Sequence, residues 1–216
     1  IKKKIELPVC ILNIGGIANI TAVSEHDEDS FKSKDLGPGN CLIDEWIRNK
    51  TENKFDKDGK IAKLGKTNKL ILNQALDIFD NRSNKNIFSF DTKDFDLNFI
   101  RGLSLEDGAA TLTDFSSKII TSELYSFLSK TKNKLWKVIL CGGGRKNTTL
   151  VNRIKKEIAK NFVIQFIDDY GIDGDFVESQ AFAYLAIRSF LKLPISFPAT
   201  TGCNKPISGG TIVNNF

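Results

Sequence analysis

A polar amide and two glycines follow the first apolar run of the chain. Asn13 comes directly after the apolar residues 9–12, and Gly15 and Gly16 follow shortly after it. Because glycine has no side chain, backbone N–H groups at such a turn can approach an anion closely and cradle a phosphate. The same residues also fit an ordinary glycine turn between two strands, since short glycine motifs often occur by chance. The segment is therefore a candidate phosphate site with a structural alternative.

Three consecutive glycines, Gly142, Gly143 and Gly144, end a later apolar run and precede an amphipathic segment. Ligands approach α/β proteins at the carboxyl edge of the sheet, so adenosine could lie against these glycines. A dinucleotide-binding fold would instead need GxGxxG in a first βα unit, with an acidic residue about 20 positions later. That interpretation fails, because this turn comes late in the chain and is followed by Arg145 and Lys146. A strand-to-helix turn that needs positive φ is the structural alternative.

A third segment runs from Asp35 to Asn40 and joins a predicted strand to a predicted helix. Its proline fixes one backbone dihedral and its glycines relax others, so the turn would hold a carboxylate in a defined place. Aspartate is ionised near neutral pH and can accept a proton, which is what a catalytic base must do. A solvated aspartate on a turn is the alternative.

Glu178 and Asp175 have the spacing of a capping box at the start of a helix. In that arrangement the glutamate satisfies backbone N–H groups and needs no ligand. Ser104 and Asp107 show the same pattern ahead of a long helical segment. The other interpretation of Glu178 is a side chain that binds a ligand.

The apolar pattern around these residues predicts an α/β domain. Strands are predicted at residues 9–12, 17–23, 31–36, 136–140 and 163–167, and helices at residues 41–48, 64–79, 104–128, 147–159 and 175–190. In the second of these helices Leu70 is expected to be buried. A hairpin and a third strand, followed by alternating helices and strands, imply a mixed β-sheet flanked by helices. This is the order of a ribonuclease-H-like lobe, and no repeat or linker indicates a boundary within residues 1–216.

Composition is that of an ordinary globular protein, with 41% hydrophobic and 26% charged residues. No apolar stretch approaches the roughly 18 residues of a membrane span, so no membrane association is expected. The net charge of +5 is scattered and only six basic residues are arginine, which argues against nucleic acid as a partner. The four cysteines form no CxxC pair, and the single histidine, His26, lies among charged residues. We therefore expect reduced thiols in a cytoplasmic protein and no zinc site.

Six ordered segments of the chain resemble the anhydro-N-acetylmuramic acid kinases. They are LNIGGIANIT at residues 12–21, DLGPGNCLID at 35–44, FDKDGKIA at 55–62, CGGGRKN at 141–147, ESQAFAYLA at 178–186 and SFPATTG at 196–202. Their order and spacing match as well, so the resemblance covers essentially the whole chain. This family has the actin-like ATPase fold of sugar kinases, actin and Hsp70, in which two ribonuclease-H-like lobes close over ATP.

The resemblance implies a role for each of the residues singled out above. Asp35 would be the catalytic base, and Glu178 and Asn40 would bind the sugar substrate. Mg²⁺ would bridge and neutralise the ATP phosphates, although no residue here is an obvious direct metal ligand. The residues that would border ATP are Asn13, Gly15 and Gly16 at the phosphates and Gly142, Gly143 and Gly144 at the adenosine.

The resemblance also implies a reaction and a division of labour between two lobes. 1,6-Anhydro-N-acetylmuramic acid, ATP and water would give N-acetylmuramic acid 6-phosphate and ADP, as in the recycling of peptidoglycan. This chain matches the C-terminal, nucleotide-binding lobe. The first lobe of the family carries a phosphate loop of MSGTSxDG type, an HGQT-like segment and sugar-binding arginines, and none of these segments occurs here.

Because those segments are absent and the chain has no methionine and begins at Ile1, we interpret it as part of a longer protein. We expect turnover to need the missing N-terminal kinase lobe, on the same chain or a separate one, and we expect a homodimer as in related kinases. The alternative is a non-catalytic nucleotide-binding fragment or a decayed gene product.

Overall fold

Twelve labelled helices and strands make up the computed structural model, which describes residues 5–25, 31–83, 89–128, 135–158 and 161–213. His26 lies outside these residues. Within them the elements follow in the order β1 (Val9–Ile14), β2 (Ile17–Val23), β3 (Phe31–Pro38), α1 (Cys41–Lys50), α2 (Lys60–Leu64), α3 (Lys69–Ser83), α4 (Leu105–Leu128), β4 (Trp136–Cys141), α5 (Thr148–Glu157), β5 (Phe162–Phe166), α6 (Val177–Phe190) and α7 (Pro198–Thr201).

The five strands form one mixed sheet in the order β3-β2-β1-β4-β5. Strand β2 pairs antiparallel with both β1 and β3, whereas β4 pairs parallel with β1 and β5. Only β2 therefore runs against the other four strands. This order and these directions confirm the predicted ribonuclease-H-like lobe.

One face of the sheet is covered by two helices. Alternate residues of the strands, such as Leu12 and Ile20, point to this face and are completely buried. They pack in one cluster with Leu124 of α4 and Ile154 of α5. Helix α5 begins here because the Asn147 side chain accepts a hydrogen bond from the Leu150 N–H at 3.0 Å and so caps the helix.

Helix α4 also forms the wall of a second apolar cluster, on the side away from the sheet. There Leu112 and Phe115 of α4 pack with Trp46 of α1 and Phe79 of α3. The Trp46 indole N–H donates to the carbonyl oxygen of Leu105 at 2.9 Å, which fixes α1 against the start of α4. Helix α4 is therefore shared by two cores, one facing the sheet and one facing the outer helices.

The opposite face of the sheet is covered more thinly. Val9, Ile139 and Cys141 are buried there with Ile167, and partly buried residues from the two ends of the chain join them. None of the residues of α6 is buried. All four cysteines are free, in agreement with the predicted reduced thiols. Among the described residues no helix is both long and apolar enough to cross a bilayer.

The helix predicted at residues 64–79 begins later in the structure, at Lys69, and is preceded by the short helix α2. The break falls at Gly65, where a Cβ atom would overlap the backbone of Glu106 in α4. The chain must cross α4 closely at that point, and a helix cannot continue through the crossing. As a result Leu64 and Leu70 are 77% and 70% exposed, so the prediction that Leu70 is buried was wrong.

The two predicted capping boxes had different outcomes. The Asp107 N–H donates to Ser104 Oγ at 3.1 Å, as predicted for the start of α4, although the Asp107 carboxylate accepts from the Lys66 N–H instead of closing the box. The prediction of a capping box at Asp175 and Glu178 was wrong, because the N-cap residue of α6 is Phe176 and no side chain caps the helix there. Asp175 pairs with basic side chains of the chain segment after β4 instead.

Candidate active site

The carboxyl ends of β1 and β4 bring two of the predicted site segments together. Asn13 of β1 lies opposite Cys141 of β4, and the two side chains approach to 3.7 Å between Oδ1 and Sγ. The next residue, Gly142, has a φ of +79°, and a Cβ atom there would overlap the Asn13 side chain. Gly142 is therefore required both by its backbone conformation and by the close approach of Asn13.

Asn40 joins the same region from the start of α1. Its backbone N–H donates to the carbonyl oxygen of Gly15 at 2.9 Å, and the N–H of Cys41 donates to that of Gly16 at 3.1 Å. The Asn40 side chain packs against Gly144, where a Cβ atom would lie 2.7 Å from its Nδ2 atom. Asn40 thus bridges the β1–β2 turn and the turn after β4.

These contacts unite residues from three distant parts of the sequence in one group, which we call the glycine cluster. Its members are Asn13, Gly15, Gly16, Asn40, Gly142, Gly143 and Gly144. The sequence had suggested a role for each of them, and the structure shows that they share one edge of the sheet.

The glycines of the cluster differ in how strongly the fold requires them. Gly144 has no room for a side chain, because a Cβ atom would overlap Ile14. By contrast, the nearest atoms to a Cβ on Gly15 or Gly16 would be at 3.5 Å, an ordinary contact, and a Cβ on Gly143 would meet nothing within 4 Å. None of these three has positive φ, which a tight hairpin turn would demand. The space beside Gly143 is open to a ligand.

A cavity of about 470 Å³ opens beside Gly143. The exposed aromatic ring of Phe55 lines it, together with Lys57 and with Lys146, which pairs with Asp175 in the same lining. Asp44 lines it as well, and burial raises the pKa of its carboxyl to about 6, with a further increase from nearby Asp56 opposed by Arg48. The cavity therefore combines an aromatic surface, an open glycine and groups of both charges.

The loop that carries Phe55 is held in place by hydrogen bonds to the two neighbouring helices, α2 and α5. Asp56 is buried, and its carboxylate accepts hydrogen bonds from the N–H groups of Ile61 and Ala62 at 2.8 and 2.9 Å. Thr149 at the start of α5 donates its hydroxyl to the carbonyl oxygen of Gly59 at 2.7 Å. The first contact fixes the loop against α2, and the second fixes it against α5, the helix that follows the glycine turn.

Asp35 lies within strand β3, not on the turn that the sequence suggested, because β3 continues to Pro38. It is opposite Asn19 of β2, which is in turn opposite Asn13 of β1. Residues directly opposite one another project to the same face of a sheet, so these three polar side chains form a row. With strands about 4.8 Å apart, Asp35 lies about 10 Å from Asn13 along that row.

The surroundings of Asp35 are polar and open. Its Oδ2 atom accepts a hydrogen bond from the Phe90 N–H at 2.9 Å, which orients the carboxylate. It lines a cavity of about 640 Å³ with Thr21, Ser33 and the short helix α7. A half-buried, oriented carboxylate beside a cavity suits a base that must meet a substrate, and the predicted position of Asp35 on a turn is wrong because it lies in β3.

Glu178 is exposed in the first turn of α6. The structure does not bring it into contact with the glycine cluster. The start of its helix is tied to the cluster indirectly, because Asp175 binds Arg145, which follows the three glycines.

Comparison with known proteins shows the family of the chain. A family model described as anhydro-N-acetylmuramic acid kinase matches residues 2–215. The chain belongs to this kinase family. The anhydro-N-acetylmuramic acid kinase of Pelagibacter ubique is 55% identical over 215 residues, which cover 100% of this chain and 57% of the relative. That of Zymomonas mobilis is 37% identical, and the match covers 95% of this chain and 54% of the relative.

The chain thus spans about half the length of the curated kinases that it matches. Among solved structures, the activator of 2-hydroxyisocaproyl-CoA dehydratase from Clostridium difficile with bound ADPNP overlaps 74% of this chain and 55% of its own, with 16% identity and a TM-score of 0.42. The assignment to the fold rests on the strand order of the chain itself.

Sequence reasoning missed Phe55 as a site residue of this kinase-family chain. The segment at residues 55–62 contributed to the family resemblance, but no residue in it was given a role. An aromatic residue that opens a loop of charged residues was the available signal. Only the tertiary structure shows that this loop faces Gly143.

Proposed function

We propose that this chain is the nucleotide-binding, C-terminal lobe of an ATP-dependent kinase. The completed enzyme hydrolyses the 1,6-anhydro bond of 1,6-anhydro-N-acetylmuramic acid and phosphorylates O6, giving N-acetylmuramic acid 6-phosphate in the cytoplasm. The observation that carries this proposal is the glycine cluster, in which the fold does not require glycine at Gly15, Gly16 or Gly143 and the space beside Gly143 is open. Membership of the kinase family supplies the class of substrate.

In this proposal ATP lies along the edge of the sheet formed by β1 and β4. The phosphates border Asn13, Gly15 and Gly16, and the adenosine lies against the turn at Gly142–144. The base enters the cavity beside Gly143, where the ring of Phe55 offers a stacking surface. Mg²⁺ comes with the phosphates and neutralises their charge. Asp44 also lines the space beside Gly16, and its carboxylate oxygens would hold water ligands of this ion.

Asp35 is the proposed base of the reaction. It takes a proton from water, the water oxygen bonds to the anomeric carbon, and the bond from that carbon to O6 breaks. O6 then bonds to the γ-phosphorus and ADP leaves. A separation of about 10 Å between Asp35 and Asn13 leaves room for a sugar between the base and the phosphates. Asn40 and Glu178 are proposed to bind that sugar.

The bond changes in this scheme can be followed with labelled water. In water enriched in ¹⁸O, the sugar phosphate made by the completed kinase should carry one ¹⁸O at the anomeric carbon and none in the phosphate, because O6 remains with the sugar. Mass spectrometry of the product and its fragments measures both positions. A reducing sugar exchanges its anomeric oxygen slowly, so preformed product in labelled water is the control. Label in the phosphate, or a product that keeps the anhydro ring, would contradict the scheme.

The missing lobe is proposed to cover α6. This helix exposes more than half of the side-chain surface of Phe182, Tyr184, Ile187 and Phe190. A contiguous apolar surface of this kind is normally buried against a partner. The curated relatives are almost twice as long as the matched region, which is enough chain for a second lobe. The completed kinase is further proposed to be a homodimer.

Alanine at Gly143 should weaken nucleotide binding without weakening the fold. A Cβ atom there meets no protein atom but would occupy the space proposed for adenosine, so we expect the affinity for Mg·ATP to fall about tenfold, or ~1.4 kcal/mol. The free energy of unfolding in urea should change by less than about 0.5 kcal/mol.

Two further alanine variants serve as controls. Gly102 also has no atom within 4 Å of a Cβ position but lies outside the cluster, so Gly102→Ala should leave both quantities unchanged. Gly144→Ala would overlap Ile14 and should lower the free energy of unfolding by about 1–3 kcal/mol. Unchanged ATP affinity in Gly143→Ala would argue against adenosine at this turn.

A further inference from the structure

Arg145 has more charged partners than any other basic residue in the described part of the chain. Its side chain is only 5% exposed, although it carries a full charge. Nε and Nη2 donate to the two carboxylate oxygens of Asp168 at 2.7 and 3.0 Å. Nη1 donates to the carbonyl oxygen of Gly142 at 3.0 Å and to Asp175 at 2.6 Å. One guanidinium therefore holds three segments together: the glycine turn at Gly142, Asp168 after β5, and Asp175 just before α6.

The backbone around Arg145 is built to admit this side chain. A Cβ atom on Gly174 would overlap the guanidinium, so the chain passes directly over it at that residue. At the same point the N–H of Gly142 donates to the carbonyl oxygen of Gly174 at 3.3 Å. The glycine turn and the approach to α6 therefore contact each other through backbone and side chain together.

The carboxylates that pair with Arg145 have lowered pKa values. The hydrogen bond from Arg145 lowers the pKa of Asp168 to about 2. The pKa of Asp175 is also lowered, first by Lys146 and then by Arg145. The paired carboxylates are therefore ionised throughout the neutral range. The two-point contact with Asp168 fixes the plane of the guanidinium, which in turn fixes the direction of Nη1.

We propose that Arg145 is a positioning residue that links the glycine turn at Gly142 to the first turn of α6, so that a nucleotide bound at the turn sets the position of Glu178. The inference rests on the proposed function, since it assumes that the turn binds nucleotide. The carboxylates of Asp168 and Asp175 are 46% and 42% exposed, so water screens these ion pairs and they contribute little net stability. The arrangement is therefore better explained by the geometry that it imposes on two distant parts of the site.

Hydrogen–deuterium exchange of the backbone amides, with and without Mg·ADP, tests this link in the chain itself. In the wild type, Mg·ADP should slow exchange at residues 141–147 and at residues 175–180, each about fivefold or more, the usual lower range of coupling between sites. Asp175→Asn removes the nearer of the two carboxylates that pair with Arg145 from the α6 side, at 2.6 Å as against 3.7 Å for Asp173, and the slowing at 141–147 should remain. The slowing at 175–180 should fall below about twofold.

Asp114→Asn is the matched control, because it removes the partner of another arginine, Arg153, at 2.8 Å and away from the glycine turn. In this variant Mg·ADP should slow exchange at residues 141–147 and at residues 175–180 as much as in the wild type. Slowing at 175–180 that persists in Asp175→Asn would overturn the proposal. So would a wild type in which Mg·ADP protects the turn but not α6.

A wild type in which Mg·ADP protects neither segment would contradict the proposed function instead. In that case, hydrogen–deuterium exchange measured without nucleotide tests whether Arg145 links the glycine turn to α6. Arg145→Gln should speed exchange at both segments, whereas Asp175→Asn should do so only at 175–180. Exchange equal to the wild type in both variants would overturn the link, and unchanged protection of β4 and α5 would show that the variants are folded.

Discussion

Replacing Asp35 with asparagine should lower the turnover of the completed kinase about 10²- to 10⁴-fold, the usual contribution of a general base. Asparagine cannot take a proton from water, but it has nearly the same size as aspartate. Its side-chain oxygen can still accept the hydrogen bond from the Phe90 N–H. The fold should therefore persist, and the affinity for ATP should change by less than about twofold.

Initial rates of ADP release at saturating ATP and anhydro-sugar measure this effect, and a nucleotide titration of the same protein measures the affinity. Asp77→Asn provides a matched control, because Asp77 is an exposed aspartate on the outer helix α3. Its turnover should equal that of the wild type. If Asp35→Asn keeps near-normal turnover, Asp35 is not the base.

The second large effect concerns the chain alone, which we expect to show no turnover above background. The proposed lobe carries the base and one side of the nucleotide site, whereas the phosphate loop and sugar-binding arginines belong to the other lobe of the family. Adding the part of the Pelagibacter ubique kinase outside the matched region should restore ADP release, because the matched region is 55% identical.

Three mixtures make this experiment decisive. The chain with the Pelagibacter part should release ADP only when anhydro-sugar is present, and the same mixture made with the Asp35→Asn chain should not. Substantial release by the chain alone would contradict an active site divided between lobes. Nucleotide binding without turnover in every mixture would favour the alternative of a non-catalytic fragment.

Much of the sheet could be predicted from the sequence, because its central strands β1 and β4 are short apolar runs that end at glycine turns. The end of β3 could not. Gly37 has a φ of +143° and the register with β2 shifts near Ala18. This irregularity lets the strand continue through Gly37 to Pro38, where the sequence suggested a turn. Asp35 consequently lies in the sheet, a place that local residue preferences do not reveal.

The start of α6 illustrates a second limit of local patterns. The spacing of Asp175 and Glu178 fits a capping box, but Arg145 competes for Asp175 from a position 30 residues earlier in the chain. A charged hydrogen bond to a buried guanidinium is stronger than a bond to a helix N–H. Nothing in the segment itself indicates this competitor.

For the candidate site, the sequence indicated the individual residues but not how they are related. Asn13, Asn40 and Gly144 meet only because β4 lies beside β1 in the sheet. Which glycines the fold requires depends on the atoms that surround them, and those atoms come from other segments. The distinction between Gly143 and Gly144 therefore needed the structure.

Helix α4, shared by the two cores, has a consequence for how this kinase family can change over time. Of its 24 residues, 14 are buried, and eight of these are the small or hydroxyl-bearing residues Gly108, Ala109, Ala110, Thr111, Thr113, Ser116, Ser117 and Thr121. A substitution that introduces a larger side chain in one core pushes α4 toward the other core, because both cores are close-packed. The sheet and the outer helices therefore cannot diverge independently: a change accepted by one must be matched in the other.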